Sequence, residues 1–322
     1  MIGFWAIKRF QSLFFCFISP IAIALGRCKG ASAMDPVRPQ ASAELSPSRK
    51  RALLHLLADE DDTVYRAIRR EIISHGPEVC EWLADHSLDE DPTLRRHARS
   101  IVGHFDRVNA DHDFSGFCLR HGEDLDLEEG CWRLAATRYP EINIEAYRAI
   151  FDDYAHDLCD RLDFGAEPEG LIAGLNVYLF EEKGYIGNEE EYYEPANSYL
   201  NRVVDRRTGN PISLCMVYLA ISRRLQLPIT GIGLPGHFLC RFQNPRKEIY
   251  IDAFNQGRIL TKVDCMNYLK QAGYEFHEAF LIPASPRRIL LRMCSNLHQI
   301  CQHEGMKGEA DRLQGYIVAL SK

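Results

Sequence analysis

Residues 209–252 read GNPISLCMVYLAISRRLQLPITGIGLPGHFLCRFQNPRKEIYID, and they predict a capped helix followed by a β-hairpin. Pro211 suits the first position of a helix, because its fixed φ fits there and its missing N–H would have no partner. Asn210 is then the N-cap residue, and its side chain can accept a hydrogen bond from the amide of Ser213. The helix is predicted to continue to about Leu225 and to bury one apolar face.

Short strands follow the helix, with glycine and proline between them. The strings ITGIGL and HFLCRF predict adjacent strands joined at Gly236, and IYIDAF predicts a returning strand after a hairpin loop. Symmetric pairing around that loop sets Phe242 opposite Ile249. Because side chains alternate along a strand, His237 and Asp252 then share one face as diagonal neighbours. Such a pair can orient an imidazole for catalysis, and a purely structural histidine tied to a carboxylate fits the same geometry.

The composition of the 322-residue chain is that of a globular protein large enough for two or three compact units. Apolar residues make up 46% and charged residues 26%, which excludes the disordered and fibrous classes. The net charge of −7 and the pI near 6.0 argue against a nucleic-acid partner. The eleven cysteines show no CxxC pair and no zinc-type spacing, so we predict no metal and no other cofactor. Most of them, including Cys159, are expected to be buried thiols in a reducing compartment.

Residues 1–33 combine an early basic pair, an apolar run and a small-residue site at 31–33, which is the pattern of a secretory signal peptide. The segment equally fits untranslated sequence upstream of a start at Met34, or a short membrane anchor. Residues 34–48, rich in Pro, Ser and Ala, predict a linker. We expect a cytoplasmic protein, or an exported one if residues 1–33 are a signal peptide. Membrane contact is expected only if those residues remain as an anchor.

Residues 49–115 show a helical pattern with a repeated motif. The segments DEDDTVYRAIRREI and DEDPTLRRHARSIV share an acidic turn, a threonine as helix starter and a basic amphipathic helix. Asp61 and Asp91 lie about thirty residues apart, which predicts a short helical-repeat unit of the HEAT kind. Two copies are too few for a long solenoid, so we expect a HEAT-like helical cap on the following domain. Its role is structural, or it is a surface for protein docking.

The C-terminal residues 284–322 predict two helices separated by a glycine break, after a short extended piece at residues 278–282. One apolar stripe with helical spacing consists of Leu290, Met293, Leu297 and Ile300. This stripe predicts packing against the core, and a groove for a partner is the alternative.

Three strings in the chain form a recognisable set: NSYLNRVVDRRTGNPISL, RRLQLPITGIGLPGHFL and YIDAFNQGRIL. They resemble the SirB-type proteins, a bacterial family with a transglutaminase-like core. The flanking strings LEEGCWRLAATRYPEINIEAY and SPRRILLRMCSNLHQIC resemble the same family, so the likeness covers most of residues 123–315. It implies an α+β fold with a papain/transglutaminase-like core over residues 123–283, in which a helix packs on an antiparallel sheet. It also implies a tetratricopeptide-like helical pair at 284–322. An all-helical region is expected at the N-terminal side of the core.

The resemblance also implies site residues. Transglutaminase-like enzymes place a nucleophilic cysteine at the start of the central helix, where the helix dipole and a protonated histidine lower its pKa. His237 in GHFL and Asp252 in YIDAF match the family's histidine and aspartate. Counting fifteen residues back from Gln226, or two on from Gly209, reaches Pro211 where the cysteine is expected. Proline has no nucleophilic group, so the usual thiol chemistry is lost.

Two nearby residues are candidate substitutes for the missing cysteine. Cys215 lies one helical turn deeper, where burial would raise the pKa of a thiol. Ser213 lies near the helix start, but an alcohol needs a base within reach. Cys240 shares a strand with His237 and is predicted to point to the opposite face.

We therefore expect a non-catalytic transglutaminase-like protein, a pseudoenzyme that binds a peptide or protein partner in the former active-site cleft. The residues predicted to form that cleft are Asn210, Pro211, Gly236, His237 and Asp252. One alternative is a thiol or serine hydrolase, or an acyltransferase, that acts on a peptide or amide. It would use Cys215 or Ser213 as the nucleophile, together with His237 and Asp252. Another alternative is a regulatory scaffold whose helical ends bind the partner, and no oligomeric state is predicted.

Overall fold

The computed structural model describes residues 45–322 as two compact units, divided between Asn109 and Ala110. The predictions for residues 1–33, and most of the predicted linker at 34–48, lie outside the described residues. Between residues 45 and 322, no helix is both long enough and apolar enough to cross a membrane.

The unit at residues 45–109 is built from helices around a small apolar core. Its helices are α1 (Pro47–Leu57), α2 (Asp62–Ser74), α3 (Val79–Ala84) and the first part of α4 (Pro92–Arg120). The fully buried side chains of this core are Leu57, Ile72, Leu83, Ala98 and Ile101. Because Ser46 caps α1, residues 47 and 48, which were predicted as linker, are already helical.

The two acidic turns of the predicted repeat have the same local structure. Oδ1 of Asp61 accepts from the backbone N–H of Thr63 at 2.7 Å and of Val64 at 3.2 Å. Asp91 makes the equivalent pair of contacts at 2.8 and 3.3 Å. A carboxylate in this position pairs two of the N–H groups that a helix start leaves free. The aspartates are therefore the caps, and the threonines predicted as starters lie within the first helical turn.

The unit at residues 110–322 combines helices with a small antiparallel sheet, which agrees with the predicted α+β class. Its helices after α4 are α5 (Leu127–Arg138), α6 (Ile144–Arg161), α7 (Pro168–Asn176), α8 (Leu200–Arg206), α9 (Pro211–Arg224), α10 (Lys262–Gln271), α11 (Pro286–His303) and α12 (Lys307–Leu320). Its strands are β1 (Ile186–Gly187), β2 (Thr208–Gly209), β3 (Ile229–Leu234), β4 (His237–Gln243), β5 (Glu248–Asp252) and β6 (Arg258–Leu260). The four-stranded sheet has the order β3–β4–β5–β6, and β1 pairs with β2 in parallel.

The side chains of the four-stranded sheet alternate between its two faces, and helices cover both faces. Helix α9 packs on the face that carries Cys240, within the main core of this unit. Side chains of α10 pack on the opposite face, which carries Tyr250. Phe242 pairs with Ile249 across the hairpin, as predicted, and this register sets the face of every other residue on β4 and β5.

The C-terminal helices α11 and α12 pack against each other. The predicted apolar stripe of α11 is buried, and it consists of Leu290, Met293, Leu297 and Ile300. Beside it, the guanidinium of Arg287 donates to the carbonyls of Cys118 and His121 and to that of Ala319. These carbonyls lie at the C-terminal ends of α4 and α12, where the helix dipole favours a positive charge. Arg287 therefore ties three helices together.

Two local predictions are wrong. Residues Glu278–Leu281 form a 3-10 helix rather than an extended piece, and only Pro283 makes a bridge to a strand, at Ile232. Cys159 is exposed, because the buried face of α6 consists of other positions. Those buried positions are Phe151, Tyr154, Ala155 and Leu158.

Candidate functional site

A histidine and an aspartate from adjacent strands meet at one end of the sheet. His237 begins β4, directly after a turn at Gly236, whose φ of +72° favours glycine. Asp252 is the last residue of β5. Nε2 of His237 lies 2.9 Å from Oδ2 of Asp252, and only 10% and 8% of the two side chains are exposed. The strand register thus produces a nearly buried imidazole–carboxylate pair.

Asn255 completes the polar surroundings of Asp252. Its side-chain N–H donates to Oδ2 at 2.7 Å, and its backbone N–H donates to Oδ1 at 3.3 Å. Burial raises the pKa of Asp252, but the contacts with His237 and Asn255 lower it more strongly, so the pKa lies below its ordinary value of 3.8. The carboxylate is therefore charged at neutral pH and orients the Nε2 side of the imidazole. Nδ1 has no hydrogen-bond partner among residues 45–322 and is not sealed from solvent, so it is the ring atom available to a ligand.

The start of α9 is a closed set of hydrogen bonds. Oδ1 of Asn210 accepts from the backbone N–H of Ser213 at 3.0 Å, and Oγ of Ser213 accepts from the backbone N–H of Asn210 at 3.0 Å. The Ser213 hydroxyl donates to the carbonyl of Asn197 at 2.6 Å. Pro211 occupies the first helical position between the two capping residues. Ser213, a candidate nucleophile from the sequence, is fully buried and stabilises the helix start.

Cys215, the other candidate nucleophile, lies inside the core. Its side chain is fully buried, and its thiol donates to the carbonyl of Phe238 at 3.6 Å. Burial raises the pKa of the Cys215 thiol well above its ordinary value. Cys240 donates to the carbonyl of Cys215 at 3.8 Å, so both sulfurs lie on the sheet face that α9 covers. His237 instead contacts Tyr268 of α10, on the other face.

The residues predicted to form the cleft fall into two groups. His237 and Asp252 form the first group, with Gly236 in the adjoining turn. Asn210 and Pro211 form the second group, at the start of α9. Helix α9 packs against β4 and against the 3-10 turn at residues 253–255, so both groups border the same packed region. No hydrogen bond links the two groups in the part of the chain that the structure describes.

Arg292 of α11 is a site residue that the sequence analysis missed. Its Nη2 donates to the carbonyl of Leu234 at 2.7 Å and to that of His237 at 2.8 Å. Leu234 and His237 are paired across the turn between β3 and β4, so the arginine holds the turn that positions the imidazole. The sequence gives little evidence that Arg292 belongs to the site. It shows only a basic residue next to the apolar stripe of a helix that is predicted to pack on the core.

A row of aromatic rings continues from His237 on both sides. This aromatic row consists of Tyr268, Phe254, Tyr192 and Tyr193. The ring centroid of His237 lies 5.7 Å from that of Tyr268 and 6.4 Å from that of Phe254. Tyr192 lies 6.0 Å from Phe254 and 5.3 Å from Tyr193. The imidazole is thus flanked by apolar ring surface, with tyrosine hydroxyls as its polar groups.

Comparisons with known proteins identify the family to which this site belongs. A model described as the Transglutaminase-like superfamily matches residues 145–295, which include α9, the four-stranded sheet and Arg292. A UPF0162 protein of Xylella fastidiosa is 34% identical over 204 residues, which are 62% of this chain and 73% of that relative. The chain belongs to the UPF0162 family.

Other relatives extend this result. A UPF0162 protein of Pseudomonas aeruginosa is 32% identical over 186 residues, which are 57% of this chain and 67% of the relative. Human F-box only protein 21 is 33% identical over 144 residues, which are 42% of this chain and 22% of that protein. No solved structure gives a significant match. The comparisons confirm the predicted transglutaminase-like domain and the bacterial relatives. The family name that they show is UPF0162, and the SirB-type name stays a prediction.

Other charged clusters in this UPF0162 chain are paired internally. Glu128, in the acidic first turn of α5, lies 2.6 Å from a guanidinium nitrogen of Arg224. One surface depression of about 360 Å³ is lined by Arg312 and its neighbours, and another of about 390 Å³ by Arg224 and its neighbours. Neither depression includes His237. In residues 45–322, no three His, Cys, Asp or Glu side chains are grouped so that they could hold a metal ion. The acidic segment at the start of α5 therefore forms ion pairs and complements the helix dipole.

Proposed function

We propose that this UPF0162 protein binds a peptide or protein partner at His237 and Asp252 and catalyses no reaction on it. One observation carries the proposal: Pro211 stands at the first position of α9, where the family resemblance predicts the nucleophilic cysteine. Proline has no group that can attack a carbonyl. Loss of one member of such a catalytic unit typically lowers the rate by several orders of magnitude.

The remaining features of the site suit recognition of a peptide. Nδ1 of His237 can donate or accept a hydrogen bond, depending on its tautomer, while Asp252 holds the other ring nitrogen. The aromatic row supplies rigid ring surface, a common component of protein interfaces. The buried Asn255–Asp252–His237 contacts keep the imidazole in one orientation, so little conformational entropy is lost on binding.

The rival function is a hydrolase or acyltransferase that acts on a peptide or amide. It is favoured by the intact His237–Asp252 pair, which is the arrangement a general base requires. It requires Cys215 or Ser213 to reach that base. The thiol of Cys215 is instead hydrogen-bonded inside the core, and the hydroxyl of Ser213 is bonded within the helix cap. A scaffold role for the helical segments 49–115 and 284–322 is a third possibility.

Alkylation separates the binding function from the thiol enzyme. The full chain carrying Cys159→Ser, which removes the thiol that is exposed among residues 45–322, is incubated with iodoacetamide at pH 7 and mapped by mass spectrometry. We expect Cys215 to stay unlabelled in the folded protein, because only a thiolate reacts and burial raises its pKa. Labelling of every cysteine in urea is the positive control. Rapid, selective alkylation of Cys215 in the folded protein would overturn the non-catalytic proposal.

Peptide selection tests the binding itself. A displayed library of twelve-residue peptides is selected on the full chain and on the double variant His237→Leu/Asp252→Asn, which leaves no unpaired buried charge. The control variant His86→Leu/Asp89→Asn changes a matched pair, 3.2 Å apart, in the unit at residues 45–109. We expect peptides that bind the wild type and the control but not the first variant. Peptides that bind all three equally, or no enrichment at all, would refute binding at this site.

A further inference from the structure

We infer that the site recognises the free carboxylate at the end of a peptide chain, and that Arg292 is the residue that pairs with it. This inference rests on the proposed binding function and adds the chemistry of the ligand. Nη2 of Arg292 is engaged by the carbonyls of Leu234 and His237. Its Nη1 and Nε atoms have no hydrogen-bond partner among residues 45–322, and neither is sealed from solvent. Donors therefore remain available beside the turn that precedes the His237 side chain.

The charge of Arg292 also lacks a counter-ion in the described part of the chain. No carboxylate oxygen of residues 45–322 lies within 4.0 Å of its guanidinium, whereas Arg224 and Arg312 each form two ion pairs. Asp252, the acid of the site, is engaged by His237 and Asn255. Burial lowers the pKa of Arg292, but an arginine stays protonated at neutral pH. The guanidinium carbon lies 5.6 Å from the ring centroid of Phe238, a cation–π contact, but no anion among residues 45–322 neutralises its charge.

Arg287 on the same helix differs from Arg292 in how its charge is compensated. Arg287 also lacks an ion pair in the described residues, but its carbonyl acceptors lie at the ends of α4 and α12, where helix dipoles compensate the charge. The acceptors of Arg292 lie in a strand turn, which has no comparable dipole. An incoming carboxylate would supply the missing negative charge and form a charge-assisted hydrogen bond.

The shape of the site favours a chain end over the middle of a chain. Only 10% of the His237 side chain is exposed, so a ligand can contact only a small part of the imidazole. Gly233 allows Nη1 of Arg292 to approach strand β3 closely, because a Cβ at this position would lie only 3.0 Å from that atom. Tyr192 and Tyr268 both interact electrostatically with the same guanidinium. A terminal carboxylate is small enough for this limited contact, and the aromatic row can cover the apolar side chain that precedes it.

The test compares three probes on the full chain by NMR chemical-shift titration at low salt. The first is acetyl-Gly-Gly-Phe with a free carboxylate, and the second is the same peptide with a terminal amide. The third is acetyl-Glu-Gly-Phe amide, which carries its carboxylate on an internal side chain. We expect the free terminus to bind about tenfold more tightly than either amide, since a charge-assisted contact in a partly buried site is of this size.

Variants assign the preference to Arg292. Arg292→Gln should reduce the ratio of the free-carboxylate to the amide affinity to about one, while Arg292→Lys should keep part of it. Arg288→Gln removes the same charge from an exposed position of the same helix and should change nothing. Gly233→Ala retains the arginine but crowds Nη1, so it should weaken the free carboxylate selectively. Thermal unfolding of each variant checks that the fold is retained.

The outcomes distinguish this inference from the proposed function. Equal binding of the three probes would overturn the carboxylate inference and leave peptide binding intact. Preference for the internal glutamate would show that the site binds an anion but does not recognise the end of the chain. This result too would refute the inference. If the preference for the free carboxylate over the amide is retained in Arg292→Gln, Arg292 is not the residue that pairs with the carboxylate. No binding of any probe, together with failure of the peptide selection, would refute both.

Discussion

Replacing Ser213 with alanine separates a structural hydroxyl from a catalytic one. In the structure its Oγ accepts from the backbone N–H of Asn210 at 3.0 Å and donates to the carbonyl of Asn197 at 2.6 Å. If these contacts describe its role, Ser213→Ala lowers the free energy of unfolding and leaves ligand binding at His237 unchanged. A nucleophile would behave in the opposite way, because its loss abolishes activity with little effect on stability.

The size of the effect follows from which groups lose their partners. Loss of a capping hydroxyl typically costs about 1 kcal/mol, and a buried polar group left without a partner adds roughly 1–3 kcal/mol. The second contribution is small here, because the backbone N–H of Asn210 also donates to the carbonyl of Asn197, at 3.2 Å. Neither group is therefore left alone when the hydroxyl of Ser213 is removed. We expect a loss of about 1–2 kcal/mol for Ser213→Ala.

The measurement must report on the unit at residues 110–322. With Trp5 and Trp82 changed to phenylalanine, the fluorescence of Trp132 follows that unit, because its ring is fully buried in the same core as α9. Urea unfolding at pH 7 then gives the free energy by linear extrapolation. A change below about 0.5 kcal/mol would show that the cap contacts do not stabilise the helix start, and the argument would fail.

Three further changes test the same region. The pKa of Asp252 lies below its ordinary value of 3.8 in the folded state, so its contribution to stability is present above that pH and is lost as the pH falls. Urea unfolding from about pH 5 to 3 should therefore show a flatter decline for Asp252→Asn than for the wild type, and an equally steep decline would contradict the assignment. Gly209→Ala places a Cβ 2.6 Å from Oγ of Ser213, so it should destabilise the wild type clearly and the Ser213→Ala protein much less; additive effects in a double-mutant cycle would rule out this contact. Pro211→Cys places a thiol at a buried position at the start of α9. The helix dipole lowers a thiol pKa there but not at Cys215, one turn deeper, so iodoacetamide at pH 7 should label it about tenfold or more faster than Cys215. Equal, slow labelling of the two thiols would show that this end of α9 does not activate a cysteine.

Much of the site was predictable because it depends on local rules. The cap at Asn210 follows from a preference for Asn before Pro at a helix start, and Pro211 fits the first position. The contact between His237 and Asp252 follows from strand alternation once one hairpin pair is known. Position 211 as the place of the missing cysteine came from the family resemblance rather than from these rules.

Other features could not be predicted, because their partners are distant in sequence. Arg292 reaches Leu234 and His237 across more than fifty residues, and no local pattern encodes that contact. The hydroxyl of Ser213 bonds to Asn197, which depends on how the 3-10 turn at Pro195–Ser198 packs against α9. The 3-10 helix at Glu278–Leu281 was missed because four residues are too few to show a helical periodicity.

The sequence by itself determined the helix cap, the hairpin register and the pairing of His237 with Asp252. Each of these depends on neighbours a few residues away or on one short loop. Only the tertiary structure decided that Ser213 and Cys215 are engaged by other groups, and that Arg292 binds the turn before His237 with no carboxylate partner among residues 45–322. Those contacts form only when α9 and α11 pack on the sheet. Their partners are distant in the sequence, so no local pattern predicts them.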